Sequence, residues 1–377
     1  MTITSLEAVA VRVPVERPTR ISTRLLDKRD YVLVRAGRDD SPDEGIGYAY
    51  AGTSGGAVVA EAVNGILAPL LRRWPGDDIV GAWDAMYQET LLHGRRGAVM
   101  RAIAAVDIAL WDLAGKRAGL PLAVLLGGRT GPVPAYASGG YYKPEEGSWT
   151  DAVTREIEDN VERGFTDHKI KVGGLPVAED AARVAAAVEA MQGRGRLALD
   201  ANNAYRTTAD AEAALRAFEE SAGATGLWWF EEPLSPDDVR GHARLRARCR
   251  TPIATGEIAG SRWEFRDLLE HGAADILQPD AGVLGGITEY LRVAAAAATF
   301  GLPVAPHWHA NLHAHLAAAT TNTLTVEHFS LSKDIYNFEV LVTPETRLAT
   351  AEGCAVVPDR PGLGFELEED VVRAFAI

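Results

Sequence analysis

The sequence predicts an α/β protein in which a modified (β/α) barrel carries an α+β capping domain. The first part of the chain places strand patterns before helix patterns, an order typical of an α+β unit. In the middle, short apolar segments alternate with stretches of helical period that are rich in Ala, Arg and Glu. Six of those segments begin 20 to 30 residues apart, which is the length of one strand–helix unit of a parallel barrel.

The first elements are strands, followed by helices. Residues 3–14 alternate in polarity and are rich in Val, as in a strand with one buried face. A turn-rich stretch separates two further strand patterns, at 31–34 and 46–50. Apolar residues at helical spacing then predict helices over 57–71 and 98–118, and the second pattern is the stronger one.

The chain divides into three predicted parts. The capping domain is expected over 1–130 and the barrel over 131–340, with no low-complexity linker between them. The remaining 341–377 contains Gly/Pro turns and the strand pattern GFELEE, and we expect it to return to the capping domain. The eight segments predicted as barrel strands are 134–140, 168–172, 197–202, 227–233, 252–257, 276–282, 303–309 and 323–329.

The net charge of the chain limits the classes of molecule that it is expected to bind. The chain has 377 residues and a formal net charge of −14. Such an acidic chain is not expected to bind nucleic acid or an anionic membrane through unspecific charge. If the substrate is itself an anion, a metal ion or a local basic cluster must offset this repulsion.

Cysteine usage and hydropathy point to a cytoplasmic protein. The two cysteines cannot form a disulfide framework, and the chain has no Cys-x-x-Cys pair. The first 18 residues lack the basic-then-apolar pattern of a signal peptide, and the longest apolar run is too short to cross a bilayer.

Charged and amide residues stand at the ends of seven of the eight predicted barrel strands. In a (β/α) barrel the carboxyl ends of the strands carry the active residues. Any one of these residues alone would be read as a solvated charge at the end of a strand, but seven such strands indicate a site. The residues are Lys169, Lys171, Asp200, Asn202, Glu231, Glu232, Glu257, Asp280, His307 and Glu327.

Three carboxylates come from three successive strands. Asp200, Glu231 and Glu257 would repel one another in the mouth of the barrel unless a cation lay between them. Carboxylate oxygens are ligands that suit Mg²⁺. The alternative is that each acid pairs with an Arg or Lys.

Two groups are candidate bases. Lys169 and Lys171 share one strand face, so each raises the cost of charging the other. The alternative is a surface strand with solvated lysines. His307 is the second candidate, because Asp280 one strand earlier could hold its tautomer and raise its pKa.

The run HWHANLHAH also raises the alternative of a zinc site. His307 and His309 would share a strand face. His313 and His315 are two residues apart and cannot face the same way on a helix. We therefore interpret His313 and His315 as packing or capping residues.

In combination these motifs resemble the mandelate racemase subgroup of the enolase superfamily. The resemblance is carried by Lys-x-Lys, Asp-x-Asn, Glu-Glu-Pro and Thr-Gly-Glu, followed by an Asp and a His on the next two strands. The stretch 98–128 is also similar to the long helix of that family and the turn entering its barrel. The resemblance covers nearly the whole chain.

The resemblance implies a role for each motif residue. Asp200, Glu231 and Glu257 would bind one Mg²⁺ per subunit. Lys171 would be the base on one face of the substrate, while Lys169 lowers its pKa and touches the substrate carboxylate. The other roles implied are His307 with Asp280 as the acid/base on the opposite face, Glu327 as a protonated hydrogen-bond donor and Asn202 as a residue lining the site. Neither Glu232 nor His309 matches a family ligand, so Glu232 is left as a supporting residue and His309 as a pocket residue.

The resemblance further implies proton abstraction α to a carboxylate. A divalent cation and a hydrogen-bond donor can stabilise the charge that this step creates. We favour the dehydration of an aldonic or aldaric acid to a 2-keto-3-deoxy acid. The alternatives are a racemase or epimerase of a 2-hydroxy acid that uses the same residues, and a non-catalytic binding barrel. Family members also suggest a homo-oligomer, from dimer to octamer.

The rim of the pocket is expected to set specificity. The resemblance places this rim on loops of the capping domain, for which the candidates are residues 16–30 and 50–56. The first segment is strongly basic, which suits a polyhydroxy acid or a diacid better than an aryl acid, unless these residues are plain surface charge. From these segments and the aromatic residues near the site, we predict Arg24, Tyr142 and Trp308 as substrate contacts. Tyr141 is a further candidate for the pocket lining, and the alternative for Tyr141, Tyr142 and Trp308 is that they are packing residues.

Overall fold

A computed structural model describes residues 1–143 and 147–377. It begins with a three-stranded antiparallel sheet in the order β1 (Ile3–Arg20), β2 (Leu25–Arg38) and β3 (Ser41–Tyr50). The first two strands are longer than predicted, because Thr19 and Arg20 pair with Leu26 and Leu25 beyond an irregularity in the register. The segment 16–30, predicted as a loop, is therefore mostly strand and turns only around 21–24.

Helix α4 (Ala98–Ala118) closes the capping unit over this sheet. It packs so tightly on β3 that a Cβ at Gly47 would lie 1.9 Å from the carbonyl oxygen of Ala105. The helices of this part are α1 (Gly56–Ala62), which continues through a π-turn at Val63–Leu67 into α2 (Ala68–Leu71), then α3 (Ile79–Glu89), α4 (Ala98–Ala118) and α5 (Leu122–Leu125).

The predicted parallel barrel strands follow one another in chain order. Strands β4 to β8 each pair in parallel with the next strand along the chain, and β10 pairs in parallel with β4. Single bridges join Leu277 to Val304 and Val304 to Thr323. The strands are β4 (Gly131–Gly139), β5 (His168–Lys171), β6 (Leu197–Asp200), β7 (Phe230–Glu231), β8 (Ile253–Thr255), β9 (Ile276–Leu277) and β10 (Val326–His328).

The predicted strand at 303–309 is reduced to the two bridges at Val304. Pro303 and Pro306 flank this position, and proline cannot donate a hydrogen bond to a ladder. His307 therefore stands in an irregular segment rather than on a strand. The helices of this part are α6 (Trp149–Glu162), α7 (Val177–Ala190), α8 (Thr208–Ala222), α9 (Val239–Arg246), α10 (Arg262–Glu270), α11 (Ala281–Leu284), α12 (Ile287–Thr299) and α13 (Ala310–Ala319).

The last residues contact both parts. Strands β11 (Ala349–Ala351) and β12 (Cys354–Val357) form a hairpin, and β12 pairs antiparallel with β4. Helix α14 (Glu369–Phe375) packs on β1, where the N–H of Ile377 donates to the carbonyl of Ala10 at 3.0 Å. The predicted strand GFELEE is wrong, because only Leu367 forms a bridge there, with Val342.

One hydrophobic core joins the capping sheet to the barrel. Tyr31 and Tyr48 of the sheet are fully buried and pack against the ring of Phe338, and Tyr48 stacks on it at 4.0 Å. The same core contains Trp308, next to His307. The sheet is thus held directly against the barrel residues that carry the site. Within the described residues, none of the helices is both long enough and apolar enough to cross a membrane.

Candidate active site

Three carboxylates meet at the carboxyl ends of neighbouring strands. Asp200 ends β6, Glu231 ends β7 opposite it, and Glu257 follows β8. All three are buried, and each offers an oxygen within 4.8 Å of the others. Parallel register brings them together because the carboxyl ends of adjacent parallel strands lie at one edge of the sheet.

The charge of this group fits a divalent cation. Burial raises the pKa of Glu257 to about 8, and the negative charges of Asp200, Glu232 and Glu231 add to this effect. The nearby His307 lowers the pKa but offsets only part of the rise. Oε2 of Glu257 is buried and has no hydrogen-bond donor among the described residues. Carboxylate oxygens that repel one another, one of them without a hydrogen bond, suit Mg²⁺.

The two lysines lie against these acids. Nζ of Lys169 is 2.5 Å from Glu231 and 2.8 Å from Glu327, and Lys171 donates to Asp200. Burial lowers the pKa of Lys171, and Lys169 lowers it further, as predicted. Interactions with Asp200, Tyr141 and Glu257 together outweigh these two effects, so the net shift of the pKa is upward. Asp200 and Glu231 are thus paired with lysines, and together with Glu257 they still lie close enough to hold a cation.

The predicted histidine–aspartate pair is present at the other end of the row of acids. Nδ1 of His307 is 2.9 Å from Asp280, and Nε2 is 3.5 Å from Glu257. Asp280 is held in turn by the N–H of Gly282, which donates to its other oxygen at 2.8 Å. Burial lowers the pKa of His307, but Glu257 and Asp280 more than offset it and raise the pKa to about 9. Lys171 at Asp200 and His307 at Glu257 thus flank the row from opposite ends.

Glu327 joins the two sides of the site. Its Oε2 accepts the backbone N–H of Trp308 at 2.7 Å, and its Oε1 lies beside Lys169. The backbone of Trp308 has a φ of +73°, an uncommon conformation for a bulky residue. Burial raises the pKa of Glu327, but Lys169, His307 and Lys171 outweigh it and hold the pKa at about 2. These three cations favour the carboxylate form of Glu327, and its role as a protonated donor to the substrate stays a prediction.

Several supporting residues hold the acids in place. Asn202 donates its backbone and side-chain N–H groups to Asp200 at 2.8 and 3.2 Å. Glu232 points away from the row and accepts from Thr255, Gly256 and Asn203, which agrees with a supporting role.

Trp229 and Gln278 were missed in the sequence analysis. They donate to Oε2 of Glu231 at 2.8 and 2.7 Å. Trp229 stands two residues before Glu231, on the same strand face, and that alternation could have identified it.

The three residues predicted as substrate contacts lie in different surroundings. Trp308 is buried and packs against His307 at 5.8 Å between ring centres. The hydroxyl of Tyr142 donates to Asp180 at 2.9 Å, and Arg183 lies over its ring, so Tyr142 is engaged in packing. Arg24 is exposed in the turn between β1 and β2. Tyr141, in contrast, lies with its ring 4.9 Å from Nζ of Lys171.

The remaining histidines are structural. Nε2 of His313 accepts the N–H of Ala281, and Nδ1 of His315 accepts the N–H of Ala123. Burial lowers the pKa of His313 to about 3 and that of His315 to about 4, so both are neutral acceptors. These two interpretations are confirmed. In the described ranges, Asp200, Glu231 and Glu257 are the group whose geometry could hold a metal ion, and no histidine cluster does so.

Comparison with known proteins places this geometry in a family. The mandelate racemase/muconate lactonizing enzyme N-terminal domain matches residues 3–127, and the enolase C-terminal domain-like model matches residues 152–371. The arabinonate dehydratase of Saccharolobus solfataricus is 36% identical over 324 residues, which are 84% of this chain and 83% of that protein. The L-talarate/galactarate dehydratase of Salmonella typhimurium is 36% identical over 335 residues, which are 88% of this chain and 79% of that protein.

A solved structure extends the likeness to the whole fold. The L-talarate dehydratase of Polaromonas sp. JS666, complexed with Mg and L-glucarate, superposes with a TM-score of 0.88 at 34% identity. The match covers 100% of this chain and 97% of that one. The chain therefore belongs to the mandelate racemase/muconate lactonizing enzyme family of the enolase superfamily, with the capping domain and barrel of that fold.

Proposed function

We propose that this protein is a Mg²⁺-dependent dehydratase of sugar-derived acids. It removes the proton α to a carboxylate, loses the β-hydroxyl as water and releases a 2-keto-3-deoxy acid. The observation that carries the proposal is the placement of Lys171 and His307 at opposite ends of the row Asp200, Glu231 and Glu257. Family relatives with dehydratase activity on arabinonate and on talarate or galactarate support it.

The three acids would hold the metal ion. When bound, Mg²⁺ supplies positive charge that stabilises the developing negative charge on the substrate carboxylate and competes with the lysines for the acids. Glu231 is oriented for this by Trp229 and Gln278. Asp200 is oriented by Asn202. These hydrogen bonds fix the direction of the ligand oxygens, as partners of metal ligands commonly do.

Lys171 would act as the base and His307 as the acid, each in one proton transfer. Lys171 takes the proton from the α-carbon, and the electron pair of that C–H bond moves into the carboxylate. His307, kept protonated by Glu257 and Asp280, gives its proton to the β-hydroxyl as the C–O bond breaks. Water and an enol result, and the enol tautomerises to the 2-keto acid. Lys169 lies between Glu231 and Glu327 and neutralises part of their negative charge.

The test is turnover of a panel of aldonic and aldaric acids in D₂O with Mg²⁺. We expect a 2-keto acid, detected as its semicarbazone, from at least one acid. Exchange of the α-hydrogen with inversion and without keto acid would make the protein a racemase or epimerase instead. Absence of Mg²⁺ binding by calorimetry would make it a non-catalytic binding barrel.

The predicted homo-oligomer and cytoplasmic location remain predictions. Light scattering of the purified chain tests the first, and fractionation of cells that express it tests the second. The proposed chemistry depends on neither, because every residue assigned to it belongs to one chain.

A further inference from the structure

Glu232, the residue after Glu231, is a fully buried carboxylate whose two oxygens are held by separate segments of the chain. Its Oε1 accepts the hydroxyl of Thr255 at 2.7 Å and the backbone N–H of Gly256 at 2.8 Å. Its Oε2 accepts the side-chain amide of Asn203 at 2.7 Å. A buried carboxylate with several donors is fixed in place, because breaking any one of these hydrogen bonds leaves a buried polar group unpaired.

The hydrogen bonds of Glu232 join the three strand ends that carry the candidate metal ligands. One pair of donors comes from the two residues directly before Glu257, at the end of β8. The other donor stands three residues after Asp200, which ends β6. Glu232 itself directly follows Glu231, which ends β7. One carboxylate therefore links the positions of all three ligands through their neighbours along the chain.

Asn203 strengthens the link between β6 and β7. Its backbone N–H donates to the carbonyl of Glu232 at 2.7 Å, and its side-chain amide also donates to the carbonyl of Leu234 at 2.8 Å. Asn203 and Glu232 have φ values of +62° and +42°, a left-handed backbone that is uncommon for residues other than Gly. Such a conformation persists only where the surrounding contacts hold it, so these hydrogen bonds keep both segments in one arrangement.

A fixed spacing of ligand oxygens favours a small divalent cation over a large one. Mg²⁺ requires near-ideal octahedral geometry with metal–oxygen distances of about 2.0–2.1 Å, whereas Ca²⁺ accepts flexible coordination at about 2.3–2.6 Å. If the strand ends were free to move, the three acids would spread under their mutual repulsion and the site would suit the larger ion better. A link that holds the strand ends together therefore acts against Ca²⁺.

We propose that Glu232 is a positioning residue that sets the spacing of the three ligand carboxylates and thereby favours Mg²⁺ over Ca²⁺ at this site. It acts through the strand ends that it joins and binds neither the metal ion nor the substrate. This role deepens the proposed function and rests on it for the assignment of Asp200, Glu231 and Glu257 as ligands. It applies equally to dehydration and racemisation, because both would use the same metal ion.

Calorimetry of the full chain with Mg²⁺ and with Ca²⁺, in the absence of substrate, tests this role. Glu232→Asp keeps the charge but shortens the side chain by one methylene group, so it cannot hold all of its donors. Thr255→Val removes one donor with little change in shape and no change in charge. We expect the wild type to bind Mg²⁺ more tightly than Ca²⁺. Each variant should weaken Mg²⁺ binding about tenfold, as loss of a partner of a metal ligand commonly does, and Ca²⁺ binding less than about threefold.

Two controls separate this role from general damage to the fold. Thr255→Ser restores the hydroxyl and should regain the Mg²⁺ affinity of the wild type. Glu220→Asp shortens an exposed acid on α8 in the same way and should leave both affinities unchanged. Urea unfolding of the metal-free chains identifies any variant that does not fold, and if Glu232→Asp is one of them, the two Thr255 variants decide.

Equal weakening of both ions in the folded variants, or no weakening of either, would overturn the role of Glu232. So would a wild type that binds Ca²⁺ as tightly as Mg²⁺. Release of a 2-keto acid by the wild type, together with an unchanged ion preference in the variants, would leave the proposed function and remove this role. A lowered preference for Mg²⁺ in the variants, without any keto acid from the wild type, would do the reverse.

Discussion

Nδ1 of His307 lies 2.9 Å from Oδ2 of Asp280, and the N–H of Gly282 holds the other oxygen of that carboxylate at 2.8 Å. The pair fixes one tautomer of the imidazole and favours its protonated form. Because the C–O bond breaks only if a proton reaches the leaving hydroxyl, this contact is where we expect the efficiency of dehydration to be set.

Replacing Asp280 by Asn should therefore change the pH dependence as well as the rate. Asp280 raises the pKa of His307, so its loss lowers that pKa and moves the alkaline limb of the kcat profile to lower pH. We expect kcat to fall about 100-fold near pH 8. Asp359→Asn, an exposed aspartate, is the matched control. An unshifted alkaline limb in Asp280→Asn would show that His307 is not the titrating acid.

Lys171→Ala and His307→Asn should each lose turnover while still binding the metal ion. A positioned acid or base contributes about 10²- to 10⁴-fold, so we expect losses of about 10³-fold in kcat/KM. Calorimetry should show Mg²⁺ bound at least as tightly as in the wild type, since neither side chain is an assigned ligand and Lys171 competes with the metal for Asp200. Lys28→Ala serves as control for the lysine. Near-normal rates in either active-site variant would refute the roles assigned to them.

Glu257→Gln should weaken the binding of Mg²⁺ by tenfold or more. The change removes a charged ligand oxygen from the group Asp200, Glu231 and Glu257. In the wild-type chain, Mg²⁺ at 100 times its Kd should add about 2.7 kcal/mol to the free energy of unfolding. At the same Mg²⁺ concentration the variant should lose about half of this increment or more, whereas Glu179→Gln on the surface of α7 should keep it. Equal increments in both variants would remove Glu257 from the ligand set.

Acid should destabilise the fold through buried neutral histidines. His168 on β5 is fully buried, and burial lowers its pKa from 6.5 to about 4. A base whose folded pKa is depressed contributes full stability above pH 6.5 and loses it as the pH falls toward 4. We expect the free energy of unfolding to fall in this window, and His168→Leu to reduce the fall by up to about 1.4 kcal/mol per pH unit.

Urea unfolding at fixed pH values between 6.5 and 4.5 measures this effect. His93→Leu, which removes an exposed histidine, should follow the wild-type slope. If His168→Leu also follows the wild-type slope, proton uptake by His168 does not contribute to the acid lability.

The sequence predicted the row of carboxylates because the rule behind it is simple. Asp200, Glu231 and Glu257 end successive parallel strands, and parallel register alone brings strand ends together. The same reasoning placed the lysines on one shared face. The fold class followed from repeated strand–helix units, which need no knowledge of side-chain contacts.

The charge states of the site residues and the contacts between distant parts of the chain could not be predicted from the sequence. The pKa of Glu327 depends on Lys169, which is 158 positions away, and on His307, which follows Pro306 in an irregular segment. Arg29 was indistinguishable from its exposed neighbours until the pairing of β1 with β2 showed which residues of 16–30 face inward. The tail was also misread, because the alternation in GFELEE does not reveal that Leu367 finds only one partner.

The most direct test of the divided roles of Lys171 and His307 is exchange of the substrate α-hydrogen in D₂O, followed by NMR in the two variants. Lys171→Ala should neither exchange that hydrogen nor release keto acid. His307→Asn should exchange it without releasing keto acid, because the base is intact and only the acid is missing. Exchange retained in Lys171→Ala and lost in His307→Asn would contradict the account, since the imidazole would then be the group that removes the proton.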